Sequence, residues 1–545
     1  MKRFGWAALV AVIATASSAT ETAPQGAGLG VEALPETRVA VMPPLAPAAQ
    51  DLRDMLAAGG DDLAPLDAIY ALHGYAPIWD LMKTAALLGA IDAAPGHGLP
   101  AERYDLSALR ALPPKPGADY AAREVALSQA FLRYARDLNS GVLEPRRVDR
   151  DIVVSPKRPD PGALLEGMAE TPDPIGYLAA LAPAHRHYTD LLAEKTRLEA
   201  LIAAGGWGAP VPGGRSLKPG DSGDRVVSLR QRLGVMQGAD YGDAPEFDSA
   251  LEAAVQKAQV SFGLNDDGVV GPKTLEAINV APQTRLQQVL VNLERQRWLN
   301  YDRGARHIYV NQADFSVQVI DNGETTLWSR VVIGKNGHRT QEFNDEMTYM
   351  VVNPTWHVPR SIATEEMLPK LKGNPGALGR SMQIMTRNGT QVNPALIDFS
   401  QFTTRNFPFI IKQRPGGGNA LGRVKFMFPN EFNIYLHDTP SKSLFGRDVR
   451  AYSHGCVRVQ KPFELAHVLL GAQSDDPKAS FQGYLDGGAE RYVNLDAPVP
   501  VYLTYQSAWV DRFGEPQYRA DIYGRDARVF DALRAAGVTT VAVDG

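Results

Sequence analysis

One cysteine, Cys456, occurs in the 545-residue chain, within the stretch Y-S-H-G-C-V-R-V-Q at 452–460. A thiolate is a strong nucleophile, yet an unperturbed thiol of pKa about 8.5 is only a few per cent ionised at neutral pH. Cysteine chemistry therefore needs a base. Two histidines offer one: His454, two residues before the cysteine, and His437, nineteen before it, ending the apolar run N-I-Y-L-H. A strand end delivers a side chain rigidly to a rim, whereas S-H-G-C reads as a turn. Gly455 lets that turn bend and leaves the amides of Gly455 and Cys456 to face an incoming carbonyl. Such an oxyanion hole is worth about 3–4 kcal/mol per donor. The same three side chains could instead ligate zinc. H-x-C is tight spacing, however, and no second cysteine completes a cage, so no metal is assigned. A cysteine that only packs is the remaining alternative.

The elements that must position these residues are β-rich. From about residue 305, H-I-Y-V-N, F-S-V-Q-V-I and S-R-V-V-I-G read as strands, with Asp321-Asn322-Gly323 as a hairpin turn. Further strands are expected at 348–353, 425–428, 433–437 and 500–505. Between 364 and 407 the pattern breaks into a short helix capped by Thr364 and a Gly/Asn/Pro-rich segment, a candidate lid. On a strand ending at His437, Tyr435 points to the same face and could line a pocket.

Upstream the chain is helical. Residues 49–205 read as a helical domain whose clearest helix, 121–138, buries Val125, Ala126, Phe131, Leu132, Ala135 and Leu138. Nothing there looks catalytic, and His185 and His187 are expected to be exposed. Gly/Pro clusters at 205–214 mark a boundary. Beyond it, turns and helices over 216–282 include one that Asp224 could cap. At the start, Lys2 and Arg3 precede eleven apolar residues, 4–14, and then small residues. This is the pattern of a secretory signal over 1–19, cleaved or retained as an anchor. A tether over 20–48 follows, and no later run of about 18 apolar residues appears. One cysteine excludes an intrachain disulfide, and a net charge of −5 gives no signal for nucleic acid.

Two sets of residues carry family resemblances. G-D-x-G-x-x-V-x-x-L-x-x-x-L from Gly220, A-V-x-x-x-Q-x-x-x-G-L, then D-G-x-x-G-x-x-T-L, resembles the three-helix peptidoglycan-binding domain. H-D-T-P from His437 and S-H-G-C-V-R from Ser453, with fifteen residues (438–452) between His437 and Ser453, resemble L,D-transpeptidases with the YkuD-type catalytic domain. The flanks N-P-T-W-H-V-P from Asn353, N-A-L-G-R-V-K-F-M-F-P-N from Asn419 and D-I-Y-G-R-D from Asp521 agree. The whole is similar to the large multi-domain members of Gram-negative bacteria.

This resemblance implies a multi-domain α+β protein. Its parts would be a helical scaffold at 49–205, a peptidoglycan-binding bundle at 216–282, a mostly β catalytic domain at 305–508 with its lid at 364–407, and an extension at 509–545. It implies Cys456 as nucleophile and His437 as general base and acid, with His437's second nitrogen oriented by a backbone carbonyl. Gly455, His454 and Ser453 would support the loop. Tyr435, Trp356, Asn353, Arg423 and Arg458 are the substrate-binding candidates. No cofactor is implied. The partners implied are stem peptides and glycan strands of peptidoglycan in the periplasm, and cell-wall synthesis proteins docking on the scaffold. The reaction implied is 3-3 cross-linking through a thioester, with carbapenems acylating Cys456. Hydrolysis on the same site, attachment of the wall to a protein lysine, and a non-catalytic wall-binding scaffold are the alternatives.

Overall fold

Short Asp-Pro signals start many of the helices. Asp160-Pro161, Asp173-Pro174 and Asp476-Pro477 each place an aspartate whose carboxylate accepts the third helical N–H, followed by a proline preset for helix. The computed structural model describes residues 45–112 and 119–538. The expected signal and nearly all of the expected tether lie outside the described residues. Among those described, no helix is long and apolar enough to cross a membrane.

The N-terminal region is helical from Pro47 to Ala203. The helix expected at 121–138 spans Tyr120–Ser140, and Val125, Phe131, Ala135 and Leu138 are buried while Ala126 and Leu132 are half-buried. Its buried face also holds polar groups that apolar periodicity does not reveal. Glu124 accepts from the Ile78 amide (2.5 Å) and the Tyr70 hydroxyl (2.9 Å), and Ser128 accepts from the Trp79 indole (2.8 Å). His185 is half-buried, against expectation, because its ring accepts the Tyr188 N–H and caps Arg186–Ala203.

Helices Asp224–Gln237, Ser249–Ser261 and Pro272–Asn279 form the next bundle, closed by Val226, Leu229, Leu233, Leu251, Val255 and Ile278. Asp224 is the first helical residue here; the cap position belongs to Gly223, whose φ of +123° suits glycine. Then comes a helix that the sequence reading passed over, Pro282–Trp298, with most of its side chains buried, polar ones included. Leu286, Val289 and Leu293 join the bundle's core, while Val291 and Trp298 join the core of the N-terminal helices. Glu294 accepts from the Leu143 amide (2.8 Å) and the Trp298 indole (3.0 Å), and pairs with Arg297 (3.2 Å). Arg295 reaches Asp526 at 2.6 Å. This helix is the axle of the protein.

Strands β1 (Arg306–Asn311), β2 (Ser316–Asp321), β3 (Glu324–Gly334), β4 (Phe343–Val352), β5 (Trp356–His357), β6 (Met382–Met385), β7 (Ile410–Gln413), β8 (Val424–Met427), β9 (Leu436–His437), β10 (Ala451–Ser453), β11 (Val457–Val459) and β12 (Arg491–Thr504) follow. Among the described residues nine of them form one sheet, in the order β10-β3-β11-β9-β8-β4-β12-β1-β2, and β2 pairs with β3 so that the sheet closes on itself. Asn322 and Gly323, at φ +51° and +85°, make the expected hairpin turn. One sheet face buries Val424, Phe426, Leu436, Val457 and Val459 against helices Pro462–Leu470 and Pro477–Asp486.

The remaining strands, β5, β7 and β6, form a separate sheet in the excursion expected as a lid, over a core of its own that includes Met367, Leu371, Ile384, Phe399 and Ile411. The strands anchoring this excursion lie outside 364–407. Thr364 does not cap its helix: the helical run begins at Arg360, and the Thr364 hydroxyl bonds back to the Arg360 carbonyl (2.9 Å). After β12, the hairpin of β13 (Ala508–Val510) and β14 (Pro516–Tyr518) puts Ala508 and Tyr518 in the bundle's core. Helix Arg525–Ala535 puts Val529 and Leu533 in that of the N-terminal helices.

Replacing Glu294 by Ala removes the carboxylate paired with buried Arg297, which keeps only the His97 carbonyl and Tyr188 hydroxyl, and leaves the Leu143 amide and Trp298 indole unmet. The expected loss is about 3–5 kcal/mol, measured by urea unfolding. A change below about 1 kcal/mol would remove this helix from its role as axle.

Candidate active site

The register of β9, β11 and β8 builds the site. β11 runs parallel to β9, pairing Arg458 with His437 and Val457 with Leu436, and the Val457 amide continues the ladder to the Tyr435 carbonyl (3.1 Å). β8 lies on the other side of β9 and pairs Lys425 with His437. Side chains alternate along strands, so the valines and Leu436 enter the core. Cys456, Arg458, Tyr435, His437 and Lys425 share the opposite face. Packing agrees: the rings of Tyr435 and His437 meet edge-on at 5.6 Å, and the Lys425 ammonium lies 5.8 Å from the Tyr435 ring centre.

His437 is buried, with Nδ1 2.5 Å from the Asp438 carbonyl. A carbonyl only accepts, so the neutral ring carries its proton on Nδ1 and keeps a lone pair on Nε2. The Asp438 carboxylate does not orient the ring. It is held by the Thr439 amide (2.7 Å), Lys442 (2.6 Å) and the Arg423 amide (2.8 Å). Gly422, at φ +62°, is a close neighbour: a methyl group there would lie 2.2 Å from Asp438 Oδ2. Burial, then the Arg458 charge, pushes the imidazole down to about 3. Burial likewise pushes the Cys456 thiol up to about 11, against the pull of Tyr435's amide and hydroxyl and of the Arg458 and Lys425 charges. The resting pair is therefore a neutral thiol and a neutral imidazole. The thiol is half-buried and lies 3.5 Å from the Asn433 carbonyl.

The S-H-G-C loop corrects one expectation. The Gly455 N–H is not turned to a substrate, because Ser453 Oγ accepts it at 3.1 Å while Ser453 itself donates to the Cys456 carbonyl (2.5 Å). The Cys456 N–H has no acceptor among the described residues and is the donor left for an oxyanion. Gly455 sits at φ +115°, a conformation that L side chains rarely adopt. His454 faces the lid. Its Nε2 lies 2.6 Å from Glu366 in the lid's helical turn and 3.3 Å from Lys335, and its ring lies 4.7 Å from that of His338.

The five substrate-binding candidates divide. Tyr435 and Arg458 face the thiol, and Arg458 Nε is a buried donor without a partner among the described residues. Asn353 and Arg423 bond each other (2.9 Å) and the Leu485 carbonyl at the end of Pro477–Asp486 (3.0 and 3.3 Å), so they are committed to that helix terminus. Trp356 is half-buried against the lid's core. The reading passed over Lys425, a charge in the apolar run K-F-M-F. Its signal was a register that only pairing with His437 reveals.

Among known proteins, residues 305–492 match the L,D-transpeptidase catalytic domain, 222–278 a putative peptidoglycan binding domain, and 64–194 a scaffold domain. A putative L,D-transpeptidase of Haemophilus influenzae is 34% identical over 245 residues, 45% of this chain and 49% of that protein. The chain thus spans about half the length of the curated relative it matches. The solved L,D-transpeptidases of Xylanimonas cellulosilytica (residues 123–326) and Stackebrandtia nassauensis are 14% and 13% identical. They cover 54% of this chain each and 98% and 95% of their own, with TM-scores of 0.16 and 0.21.

A thiol held up to about 11 is mostly protonated below that pH, so Cys456 alkylation by iodoacetamide should quicken about tenfold per pH unit from 7 to 9 without a plateau. Tyr435→Phe, which removes a donor to the thiolate, should slow it at every pH. A plateau below pH 8 would mean a pre-formed thiolate.

Proposed function

We propose that this chain, which carries an L,D-transpeptidase catalytic domain behind a scaffold domain and a putative peptidoglycan binding domain, forms 3-3 cross-links in peptidoglycan. The observation that carries the proposal is the shared sheet face of Cys456 and His437, with a lone pair left on His437 Nε2.

In the first half, Nε2 takes the thiol proton as Sγ attacks the carbonyl that joins the L-centred diamino acid to D-Ala in a tetrapeptide stem. The oxyanion takes the Cys456 N–H. The Tyr435 hydroxyl, which burial keeps protonated, is the second donor. The C–N bond breaks, the imidazolium gives its proton to the leaving D-Ala amine, and a thioester remains. In the second half the side-chain amine of another stem attacks, Nε2 accepts its proton, and the thiol is restored. No external energy source is needed, since one amide is exchanged for another. Arg458 and Lys425 face the donor's carboxylates. The setting proposed is the periplasm, reached through residues 1–19. The scaffold is proposed as the docking surface for cell-wall synthesis proteins.

Purified protein incubated with disaccharide-tetrapeptide should yield a cross-linked dimer with loss of one D-Ala per link, read by mass. Tripeptide alone would make the enzyme a hydrolase, and no product would leave a wall-binding scaffold. Cys456→Ala should abolish product, and His437→Gln should lower acylation by about 10²–10⁴-fold, with retention on isolated wall unchanged in both.

A further inference from the structure

A cleft of about 870 Å³ opens between residues 146–151 of the N-terminal helical region and the nucleophile loop at His454 and Gly455. Its lining carries five arginines against two aspartates. Asp149 is already shared by Arg528 (2.6 Å) and Arg339 (4.0 Å). Arg146, Arg147 and Arg150 are exposed, and none is within ion-pair distance of a carboxylate among the described residues. In a chain of net charge −5 this is a local excess of positive charge. It is also rigidly mounted: the Val153 amide donates to the Glu342 carbonyl (2.7 Å), and the Glu342 amide to the Asp151 carbonyl (2.8 Å).

The position of the cleft relative to the sulfur gives it meaning. Phe432, Ile434, His454 and Gly455 line it, and all precede the paired residues of β9 and β11. His437 and Arg458 lie further along those strands, and Lys425 of β8 is paired with His437. Cys456 therefore stands between two basic surfaces that approach it from opposite ends of the pair. Acyl transfer between two peptides needs two such approaches, one for the donor and one for the amine that attacks the thioester.

We infer that the arginine cleft is the acceptor subsite, holding the carboxylates of an anionic peptide so that its side-chain amine reaches over Gly455 to the thioester. The inference rests on the cross-linking reading above and gives the scaffold a share in the site. Held carboxylates also favour the amine over water, because they raise its concentration at the acyl group.

The test combines Arg146→Ala, Arg147→Ala and Arg150→Ala, exposed positions whose loss leaves the thermal midpoint in place. Thioester formation from disaccharide-tetrapeptide, read by intact mass, should stay within about twofold of wild type. Dimer yield should fall about tenfold or more, with tripeptide release rising. Raising salt to about 0.5 M should produce the same shift in the wild type. Normal thioester formation with normal dimer yield would overturn the inference and leave the transpeptidase reading standing. Absence of any thioester in the wild type would overturn that reading instead. The cleft is then judged by calorimetric binding of the acceptor tripeptide to Cys456→Ala protein: weaker by about tenfold in the triple variant supports it, unchanged overturns it. Unchanged tripeptide binding with lost binding to phosphatidylglycerol vesicles would also overturn it, in favour of a membrane contact.

Discussion

Everything at the candidate site depends on β9 and β11 being parallel neighbours. Parallel strands cannot be joined by a tight hairpin; they need a crossover of a dozen or more residues. The nineteen residues between His437 and Val457 are that crossover. They leave β9, pass through the helical turn Lys442–Gly446, and form β10 on the far side of β3. The chain then returns to lay β11 between β3 and β9. The spacing of the histidine from the S-H-G-C block is thus a topological requirement. A shorter loop would not let the segments carrying His437 and Cys456 pair as parallel neighbours.

The same pairing explains why the resting site is neutral. A cysteine and a histidine side by side in water would lean towards an ion pair when a cation stands near the thiolate. Here burial outweighs both the Arg458 and Lys425 charges for the thiol, and for the imidazole Arg458 adds to burial. Both cations act on the thiol, and each in turn feels the charge of the thiolate. Glu490, the acid whose charge reaches Lys425, is held by the Thr355 amide at the entrance to the lid. The lid in turn meets the nucleophile loop through Glu366 and His454. Charged contacts thus link Lys425, the start of the excursion at Thr355 and the loop at His454.

Local pattern was more legible in the sequence than long-range pairing. Cys456 and His437 stood out by residue type and spacing, and the family resemblance implied a carbonyl beside the ring; His437 in fact ends a two-residue strand and its ring meets the adjacent Asp438 carbonyl. Strands with β-branched runs and the helices with clean apolar faces were also readable. What escaped is whatever depends on long-range pairing. Helix Pro282–Trp298 was missed because its buried positions are filled by Arg285, Gln288, Asn292, Glu294, Arg295 and Arg297, residue types that normally mark solvent. They are tolerable there only because partners from distant segments satisfy them: Ser507 for Asn292 (2.8 Å) and Asp526 for Arg295. Lys425 was missed for the same reason. Gly455's amide was misassigned because the competing acceptor, Ser453 Oγ, is a local side chain whose rotamer a one-dimensional reading does not fix.

A lone cysteine raised to about 11 also bears on survival. Oxidation and disulfide exchange proceed through the thiolate, so a thiol kept protonated by burial resists both. The nucleophile would appear only when Nε2 accepts the proton during attack, and then only beside a carbonyl already held by the site. Having no second cysteine in the chain removes intramolecular capture. The high thiol pKa, which alone would argue against catalysis, is compatible with the proposed reaction, in which the base acts during attack. It fits poorly with a nucleophile that waits as a preformed ion pair.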